Sequence, residues 1–317
     1  MRGKIMIQQL EYLLALARER HFGRAAAACH VSQPTLSAAV STLERELDTR
    51  IVLRGRRFEG FTAEGERVVT WARRILAERD ELLADIARAR GGLTATARIA
   101  AIPTAVPATP FVTRQFLDRH PHARVRIEAM SSREIAQRLA DYEIDAGLTY
   151  LDDETPPGTR HIRLYQERYA LLAPATHPLM ELPAVAWADA AKLPLCALTI
   201  EMRNRRIIET NMAADGARFI PVVETNTIGA LYAHLTSLQL ASIVAHTWLH
   251  AFGVPTGLAV RPMIQRGPGP WVGLIVLNRQ PNSILAEALL TAADDPDVLA
   301  AIRNPVGSHI VDTESAQ

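Results

Sequence analysis

The chain has 317 residues, of which 48% are hydrophobic and 5% aromatic, so it offers a large aliphatic core and enough length for two or three domains. Its formal net charge of +1 favours neither a nucleic acid nor an acidic partner. No signal peptide opens the sequence, and no apolar run approaches the ~18 residues that a membrane helix needs. These features exclude a membrane partner and predict a cytoplasmic protein.

Positive charge is concentrated in the first part of the chain. Through Arg90 there are 16 Lys and Arg against 12 Asp and Glu, whereas the remainder has 19 against 22. A basic N-terminal module on a mildly acidic body is the distribution expected if the first part contacts phosphates.

The two cysteines, Cys29 and Cys196, lie far apart in the sequence, which indicates a reducing compartment and no disulfide framework. Cys29 falls on the apolar side of an Ala-rich segment and is expected to be a small core residue. Cys196 lies in the apolar run LPLCAL, which favours a buried strand position over a redox sensor.

The first fifty residues predict three helices. Residues 7–20 form an amphipathic helix, and residues 25–29 form a short Ala-rich helix whose small side chains let a neighbour cross closely. Apolar residues then recur with helical spacing from Leu36 to Leu47. This arrangement fits a helix-turn-helix motif, although on spacing alone an ordinary helical hairpin fits equally well.

The third helix has a polar face suited to DNA. Ser32 is its expected N-cap, and Pro34 falls in its first turn, where the missing N–H costs nothing. The face opposite the apolar one carries small, mostly hydrogen-bonding side chains: Gln33, Thr35, Ser37, Ala38 and Ser41. Such groups reach base edges when a helix lies in the major groove.

A basic wing is predicted after the third helix. Residues 51–53 form a short strand and residues 58–62 return as the second strand of a hairpin. Between the strands lie Arg54, Arg56 and Arg57, which are placed to contact phosphates or to enter the minor groove. A solvated basic loop is the alternative.

Residues 65–90 are expected to form a long helix. An apolar stripe keeps the spacing of a coiled-coil seam, with Arg79 as its one break. Its members are Val68, Ala72, Ile75, Leu82, Ile86 and Ala89. The stripe must be buried either against a second copy or against the C-terminal part of the same chain. Dimerisation is favoured because a two-fold protein reads a two-half-site operator.

After a hinge at residues 91–96, strands and helices alternate. Elements over residues 98–102, 106–119, 125–130, 131–140 and 146–150 make a βαβαβ run, which predicts parallel sheets with helical crossovers. Further elements are expected over residues 168–173, 195–198, 203–215, 219–223, 228–236, 242–245, 271–278 and 284–293. Residues 294–317 show little pattern and are expected to be a C-terminal tail.

Three motifs in the N-terminal part identify a family. AAxxxHVSQPTLS, LExELxxxIxxR and FTAEGE closely resemble the DNA-binding domain of LysR-type transcriptional regulators. The resemblance implies a multi-domain protein that is not an enzyme: an all-α winged helix-turn-helix (residues 1–64), a dimerising linker helix (65–90) and an α/β effector domain (97–293). This last domain is similar to periplasmic binding proteins, with lobe one at residues 97–166 and 270–293 and lobe two at 167–269.

The resemblance also implies partners. They are double-stranded DNA at promoters, a small-molecule effector, and further copies of the chain in a homodimer and a homotetramer that acts as an activator. The residues expected to contact DNA are Arg24, Ser32, Gln33, Pro34, Thr35, Ser37, Ser41, Arg54, Arg56 and Arg57. Four segments (SSREI, EIDAGLTYLD, EMRNRRI and ETNTIGALYAH) resemble a subgroup associated with control of formate dehydrogenase genes. No cofactor, metal or catalytic residue is expected.

The effector site is expected beyond the carboxyl ends of the strands, where helix N-termini offer free N–H groups. A Thr, Ser and Asn lining around an arginine suits a small anion such as a carboxylate. The residues expected there are Pro103, Thr104, Ser131, Ser132, Thr149, Thr199, Asn204, Arg205, Thr225, Asn226, Thr227 and His246. Arg205 is favoured over Arg206, because neighbours on a helix diverge, and several of the Ser and Thr residues have ordinary N-caps as the alternative.

Two departures from the family pattern limit what the resemblance implies. Ala38 and Ala39 stand where longer polar side chains often follow the SQP motif, so base reading is expected to rest on Gln33 and Thr35 or on DNA shape. Asp48 and Val52 are expected to be tolerated packing changes. A cytoplasmic solute-binding protein or an enzyme on the same two-lobe fold is the alternative function.

Overall fold

The computed structural model describes residues 5–54, 58–152 and 155–303. The chain forms an N-terminal unit and a C-terminal unit, with the division between Gly91 and Gly92. Within the described residues, no helix combines the length and the apolar composition that a membrane span requires.

The helices of the N-terminal unit are α1 (Ile7–Glu19), α2 (Phe22–Ala28) and α3 (Gln33–Glu46). Leu13, Leu36 and Leu43 are fully buried between them. Ala25 and Ala26 of α2 belong to the same core, where their small side chains permit a close helix crossing. The predicted helix-turn-helix arrangement is therefore confirmed.

A two-stranded antiparallel hairpin follows α3 and consists of β1 (Val52–Arg54) and β2 (Phe58–Phe61). Glu44 of α3 fixes its base, because Glu44 Oε1 accepts hydrogen bonds from the N–H groups of Ile51 at 2.8 Å and Val52 at 3.1 Å. The predicted DNA contacts Arg56 and Arg57 lie outside the described residues, and so does the side chain of Arg54.

Gly65 lies in the first turn of the long helix α4 (Ala63–Gly91), where two backbones approach closely. A Cβ atom at this position would lie 2.1 Å from the carbonyl oxygen of Ile51. Because that carbonyl also accepts the N–H of Thr62 at 2.9 Å, the main chain cannot shift without disturbing the hairpin base. The glycine of the FTAEGE motif is therefore required by packing.

Gly65→Ala is expected to destabilise the N-terminal unit by about 1–3 kcal/mol, because overpacking forces the backbone apart. Thermal unfolding of the full chain measures the change. Gly229→Ala is the matched control, since Gly229 lies in the helix Ile228–Leu238 with nothing within 4 Å of its Cβ position. That change is expected to be neutral or to stabilise by up to ~1 kcal/mol. Equal stability of the two variants would contradict the packing role of Gly65.

Helix α4 has 29 residues, which gives a length of about 43 Å. Its apolar stripe is divided between two environments. Ala72 is fully buried in the core of the N-terminal unit, and Val68 packs against that core. The prediction of one continuous seam is thus wrong for these two residues. The exposed apolar residues of α4 are Trp71 (59%), Ile75 (40%), Leu82 (59%), Leu83 (58%) and Ile86 (41%). The side chain of Ala89 lies outside the described part.

The described residues of the C-terminal unit form ten further strands. In chain order they are β3 (Thr96–Ala101), β4 (Arg124–Ala129), β5 (Ala146–Tyr150), β6 (Thr159–Gln166), β7 (Tyr169–Pro174), β8 (Cys196–Leu198), β9 (Val223–Thr225), β10 (Ser242–Ala245), β11 (Leu258–Pro262) and β12 (Trp271–Leu277). Lobe one holds a five-stranded sheet of order β4–β3–β5–β12–β6. Lobe two holds a sheet of order β10–β7–β11 and the pair β8–β9.

Helices cover these sheets. They are α5 (Thr109–Arg119), α6 (Ser132–Ala140), α7 (Trp187–Ala190), α8 (Arg203–Ala214), α9 (Ile228–Leu238), α10 (His246–Phe252), α11 (Ile284–Ala293) and α12 (Pro296–Arg303), with short 3₁₀ helices at Val106–Ala108 and Pro178–Glu181. In lobe two, Trp248 and Leu231 are buried in one core, and Trp187 and Met212 in another.

Two chain segments cross between the lobes. The first runs from β6 into β7 through Glu167, and the second returns to lobe one through Gly269 and Pro270. The Glu167 N–H donates to the Pro270 carbonyl at 2.9 Å. A Cβ on Gly269 would lie 1.8 Å from the Glu167 carbonyl oxygen, so only glycine permits this approach.

Several details of the predicted topology are wrong. The five-stranded sheet is mixed, because β12 is antiparallel to β5 and β6, and the β10–β7–β11 sheet is antiparallel throughout. The strand expected over residues 219–223 lies at Val223–Thr225, and the tail begins with α12. Strands β6 and β11 and helix α10 were not expected. In β6 buried and exposed positions mix, as in an edge strand, which produces no continuous apolar run.

Candidate DNA-binding surface and interlobe cleft

The polar face of α3 is ordered from its N-cap. Ser32 Oγ accepts the N–H of Thr35 at 3.3 Å and lies 2.8 Å from Thr35 Oγ1. Gln33, Pro34 and Thr35 are exposed, and no described residue forms a hydrogen bond with the Gln33 side chain. Because Ser32 and Thr35 are engaged with each other, Gln33 is best placed in this turn to reach a base edge.

The exposed face continues along α3 through Ala38 and Ser41 to Arg45, with Ser37 half-buried beside it. Arg45 was not predicted to contact DNA. It follows Ser41 by four residues, which places both on one helical face. Its Nη2 donates to Thr42 Oγ1 at 3.4 Å, which leaves most of the guanidinium exposed to a phosphate.

Arg24 of α2 adds a second exposed guanidinium. Its side chain is 64% exposed, and its Nη2 donates to the carbonyl oxygen of Glu19 at 2.6 Å. This hydrogen bond fixes the side chain at the surface of the N-terminal unit. An exposed and oriented guanidinium suits a phosphate contact, which positions a protein on DNA without reading sequence.

A cleft of about 1370 Å³ lies between the two lobes of the C-terminal unit. Lobe one contributes the end of β4 and the start of α6, and lobe two contributes the segment before α8 and the end of β9. A narrow end shares Pro103, Ser131, Ser132 and Met202 with the cleft and has room for about one water-sized group, 10 Å³. Helix starts and strand ends meet here, as in ligand sites of open α/β sheets.

Most of the predicted effector residues line this cleft. The wide part is lined by Pro103, Ser131, Ser132, Thr199, Thr225, Asn226 and Thr227, and the narrow end by Thr104 and Asn204 as well. Thr149, Arg205 and His246 line neither part. The structure thus brings together residues from five separate stretches of the sequence.

Several of these hydroxyls are engaged in caps. Ser131 Oγ donates to Glu134 Oε2 at 2.8 Å and accepts the Glu134 N–H at 3.3 Å. Hydrogen bonds from Ser131 lower the pKa of Glu134. Thr227 Oγ1 caps α9 by accepting the N–H of Ala230 at 3.3 Å. Ser132 differs, because its Oγ is buried and has no hydrogen-bond partner among the described residues.

The structure reverses the prediction of which arginine of α8 faces the cleft. Arg205 is 5% exposed and turned into lobe two, where it bonds the Leu198 carbonyl at 3.1 Å and pairs with Glu224 at 2.5 Å. Its guanidinium also lies 4.3 Å from the ring centre of Phe219. Arg206 lines the cleft instead. The preference for Arg205 is therefore corrected: Arg205 is structural, and Arg206, which donates to the Glu201 carbonyl at 3.2 Å, lies in the cleft wall.

His246 and Thr149 are interior residues. Burial lowers the pKa of His246 to about 3, so the ring stays neutral, and its Nδ1 accepts the N–H of Arg168 at 3.1 Å. A proton-sensitive ligand contact from His246 is therefore not supported. Thr149 is 3% exposed, and its hydroxyl is buried in lobe one.

The cleft carries both signs of charge, which the sequence did not indicate. Glu128 pairs with Arg138 across 2.8 Å, and Glu224 is held by the buried Arg205. Other charged side chains in the lining are Arg133, Glu134, Glu201 and Arg206. At the narrow end Arg203 of α8 pairs with Asp152 across 2.5 Å. Because Glu128 and Glu224 are each paired with an arginine, two of the four carboxylates that line the wide part are offset by positive charge.

A buried carboxyl group lies where the lobes are joined. Glu167 is fully buried, and its Oε1 accepts hydrogen bonds from the hydroxyls of Tyr150 and Tyr169, each at 2.6 Å. The Asn204 amide lies 3.4 Å from the same oxygen. Burial raises the pKa of Glu167, although these hydrogen bonds oppose the shift. Tyr150 and Asn204 also line the narrow end, so this cluster forms part of its wall.

Neither cysteine is arranged for redox chemistry. Cys196 is 1% exposed, and burial raises its pKa to about 11, which keeps it a thiol. Burial also raises the pKa of Cys29, which packs against the core of the N-terminal unit. Over residues 5–54, 58–152 and 155–303, no group of three or more metal-ligating side chains is placed to hold an ion.

Two protein-family models match the chain. Residues 7–66 match the model described as "Bacterial regulatory helix-turn-helix protein, lysR family", and residues 90–295 match "LysR substrate binding domain". The chain is 30% identical over 233 residues to a probable RuBisCO transcriptional regulator of Emiliania huxleyi, covering 71% of this chain and 74% of the relative. It is 31% identical over 192 residues to the HTH-type transcriptional regulator YnfL of Escherichia coli (strain K12), covering 60% of this chain and 64%, just under two thirds, of that relative.

Solved structures show the same fold. A full-length OxyR variant from Pseudomonas aeruginosa superposes with a TM-score of 0.70 at 25% identity, covering 92% of this chain and 98% of the other. Full-length CbnR in complex with its target DNA gives a TM-score of 0.66 at 20% identity, covering 91% and 99%.

Proposed function

Since the chain belongs to the LysR family and is a DNA-binding transcriptional regulator with an effector-binding domain, we propose that a small anion, in particular a carboxylate, binds in the interlobe cleft and modulates its grip on promoter DNA. The observation that carries the proposal is the pairing of an exposed polar helix face with a separate cleft built from strand ends and helix N-termini. A cytoplasmic location follows from this function.

Sequence reading is assigned to the start of α3, with Gln33 as the principal base contact and Thr35, Ser37 and Ser41 beside it. Arg24 and Arg45 supply phosphate contacts, and Arg54, Arg56 and Arg57 supply them from the wing. Support comes from the exposure of Gln33 and from its lack of a competing partner among the described residues.

Gln33→Ala is expected to weaken operator binding by about 5–150-fold, the value of one good base contact. Binding to unrelated DNA should not change. Arg45→Ala is the matched variant on the same helix face: it should weaken binding to every sequence and reduce the salt dependence by about one phosphate contact. Fluorescence anisotropy over a salt series, with DNA from upstream of the gene, measures both.

The same titration separates the competing functions. Micromolar binding without sequence preference in the unmodified protein would instead favour a solute-binding protein on this fold. An unchanged operator affinity in Gln33→Ala would remove Gln33 from base reading without affecting the regulator function.

The functional assembly is proposed to be a homodimer formed through α4, with a homotetramer built from it. The exposed apolar residues of the second half of α4 support this assembly, because such a stripe is unfavourable in water. Two DNA-binding units held by one helix pair would read two half-sites, as expected for a two-fold regulator.

The effector is proposed to be a small carboxylate. Support comes from Ser132, whose buried hydroxyl has no partner among the described residues, and from the arginines that line the cleft. Formate is one member of this class, in keeping with the resemblance of four segments to regulators of formate dehydrogenase genes. Because the lining carries both signs of charge, the shape of the cleft is expected to select the ligand together with its charge.

A carboxylate that occupies the site at 100 times its Kd is expected to stabilise the protein by about 2.7 kcal/mol. Thermal shift with formate, acetate, succinate, phosphate and sulfate at constant ionic strength tests this, with acetamide as the neutral control. Ser132→Ala should reduce the response to the active anion. Stabilisation by none of the anions would overturn the proposed effector class and would leave the DNA-binding function intact.

A further inference from the structure

An ion pair joins the two lobes at the narrow end of the cleft. Asp152 follows β5 of lobe one, and Arg203 is the first residue of α8 in lobe two. Arg203 Nη2 lies 2.5 Å from Asp152 Oδ2, and the side chains are only 20% and 23% exposed. Removing one member of such a shielded pair leaves the other charge poorly solvated, which is costly.

Arg203 is also part of the wall of the narrow end. The other groups there are donors or neutral hydroxyls: Ser132 with its buried hydroxyl, Thr104, Tyr150 and Asn204. The narrow end therefore presents a guanidinium and a hydroxyl to a space about the size of one water molecule. One oxygen of a ligand carboxylate fits this space, because it can accept from both donors.

We propose that Asp152 is an internal carboxylate that occupies Arg203 until the carboxylate of an effector replaces it. This inference rests on the proposed function of the cleft. Exchange of one carboxylate for another leaves the guanidinium paired throughout, so Arg203 suffers no uncompensated desolvation. Asp152 is released toward solvent on the lobe-one side.

The exchange has a mechanical consequence. Asp152 belongs to lobe one and Arg203 to lobe two, so replacement by a ligand removes a direct link between the lobes. Effector affinity is then set partly by Asp152, which competes for the same guanidinium. Effector binding is therefore coupled to how freely the two lobes move relative to each other.

Asp152→Asn tests the competition, because it removes the negative charge and keeps the size of the side chain. Isothermal titration of the full chain with acetate, at constant ionic strength, is expected to show about tenfold tighter binding in Asp152→Asn than in wild type. Arg203→Gln should abolish acetate binding. Arg206→Gln, which changes a guanidinium in the wide part of the cleft, should weaken binding without altering the effect of Asp152→Asn.

Three outcomes are distinguishable. Equal acetate affinity of wild type and Asp152→Asn would overturn the exchange and leave the carboxylate site standing. Acetate binding that survives Arg203→Gln would also overturn it. Binding of no carboxylate to either protein would overturn the exchange together with the proposed effector class.

A measurement on the unmodified protein gives a second test that does not depend on any variant folding. The Thr155 N–H donates to the Asp152 carbonyl at 2.9 Å, and the Asp152 N–H donates to Thr155 Oγ1 at 3.0 Å. Release of Asp152 should weaken these two hydrogen bonds, so hydrogen exchange at the two amides is expected to accelerate when acetate saturates the protein. Unchanged protection at saturation would contradict the release.

Discussion

Leu82→Glu is expected to break the proposed pairing of copies through α4 and to weaken operator binding by about 10²-fold or more, because the second half-site contact ceases to be intramolecular. The Leu82 side chain is 59% exposed, and Leu83 and Ile86 beside it are 58% and 41% exposed. Burial of each such side chain in a helix pair contributes roughly 1.5–3 kcal/mol. Because both copies carry the substitution, Leu82→Glu would place a negative charge from each copy in the apolar contact of the helix pair.

Light scattering after size exclusion measures the assembly directly, since a monomer has a mass of 34.8 kDa. Leu182→Glu is the matched control: Leu182 is 40% exposed, and it lies outside α4. That variant should keep both the assembly mass and the operator affinity of wild type. An unchanged assembly mass in Leu82→Glu would show that α4 does not pair the copies.

The helices of the N-terminal unit were accessible from sequence because each one has a single buried face. In α3, residues Leu36, Val40 and Leu43 repeat with helical spacing and are buried in the structure. The stripe of α4 was harder to interpret, because periodicity shows that residues share a face but not which surface covers them. Val68 and Ala72 pack into the core of their own unit, whereas Leu82 and Ile86 do not.

The cleft was partly predictable for a topological reason. Strand ends and helix starts converge at one edge of a parallel sheet, so Ser132, Thr199 and Asn226 could be placed together without coordinates. The sequence could not show which face of α8 lies toward the cleft, since Arg203, Arg205 and Arg206 are the same residue type. Residues three apart share a helix face, which is why Arg203 and Arg206 meet the cleft and Arg205 does not.

Glu167 had no signal in the sequence, although it lies at the junction of the lobes. A single glutamate after a strand is ordinarily a solvated residue. Its hydrogen-bond partners Tyr150, Tyr169 and Asn204 come from three separate elements, and only the tertiary fold brings them to one oxygen. Convergence of this kind leaves no periodicity or spacing to detect.

Glu167→Ala is expected to destabilise the C-terminal unit by roughly 2–6 kcal/mol, because it leaves the buried hydroxyls of Tyr150 and Tyr169 without their acceptor. Glu167→Gln is the matched variant, since its amide oxygen accepts the same hydrogen bonds at nearly the same size. Thermal unfolding of both at one pH measures the loss of the acceptor. A stability of Glu167→Ala close to that of wild type would contradict the structural role of the cluster.

Glu167→Gln also separates the effect of the negative charge of Glu167 on stability from the effect of its hydrogen bonds. Because burial raises the pKa of Glu167 in the folded protein, its contribution to stability is fully present below the unfolded pKa of about 4.3 and is lost as the pH rises through the folded value. Burial holds the pKa of Tyr150 and Tyr169 well above the usual range and that of His246 at about 3, so these neighbours stay neutral near pH 7.

The melting temperature of Glu167→Gln is therefore expected to match that of wild type in acid and to exceed it by a few degrees at higher pH, on the order of 2–4 °C for each kcal/mol. A difference that does not change with pH would show that the pKa of Glu167 is the same in the folded and the unfolded protein. In that case the two tyrosine hydroxyls and the Asn204 amide stabilise the carboxylate enough to offset its burial.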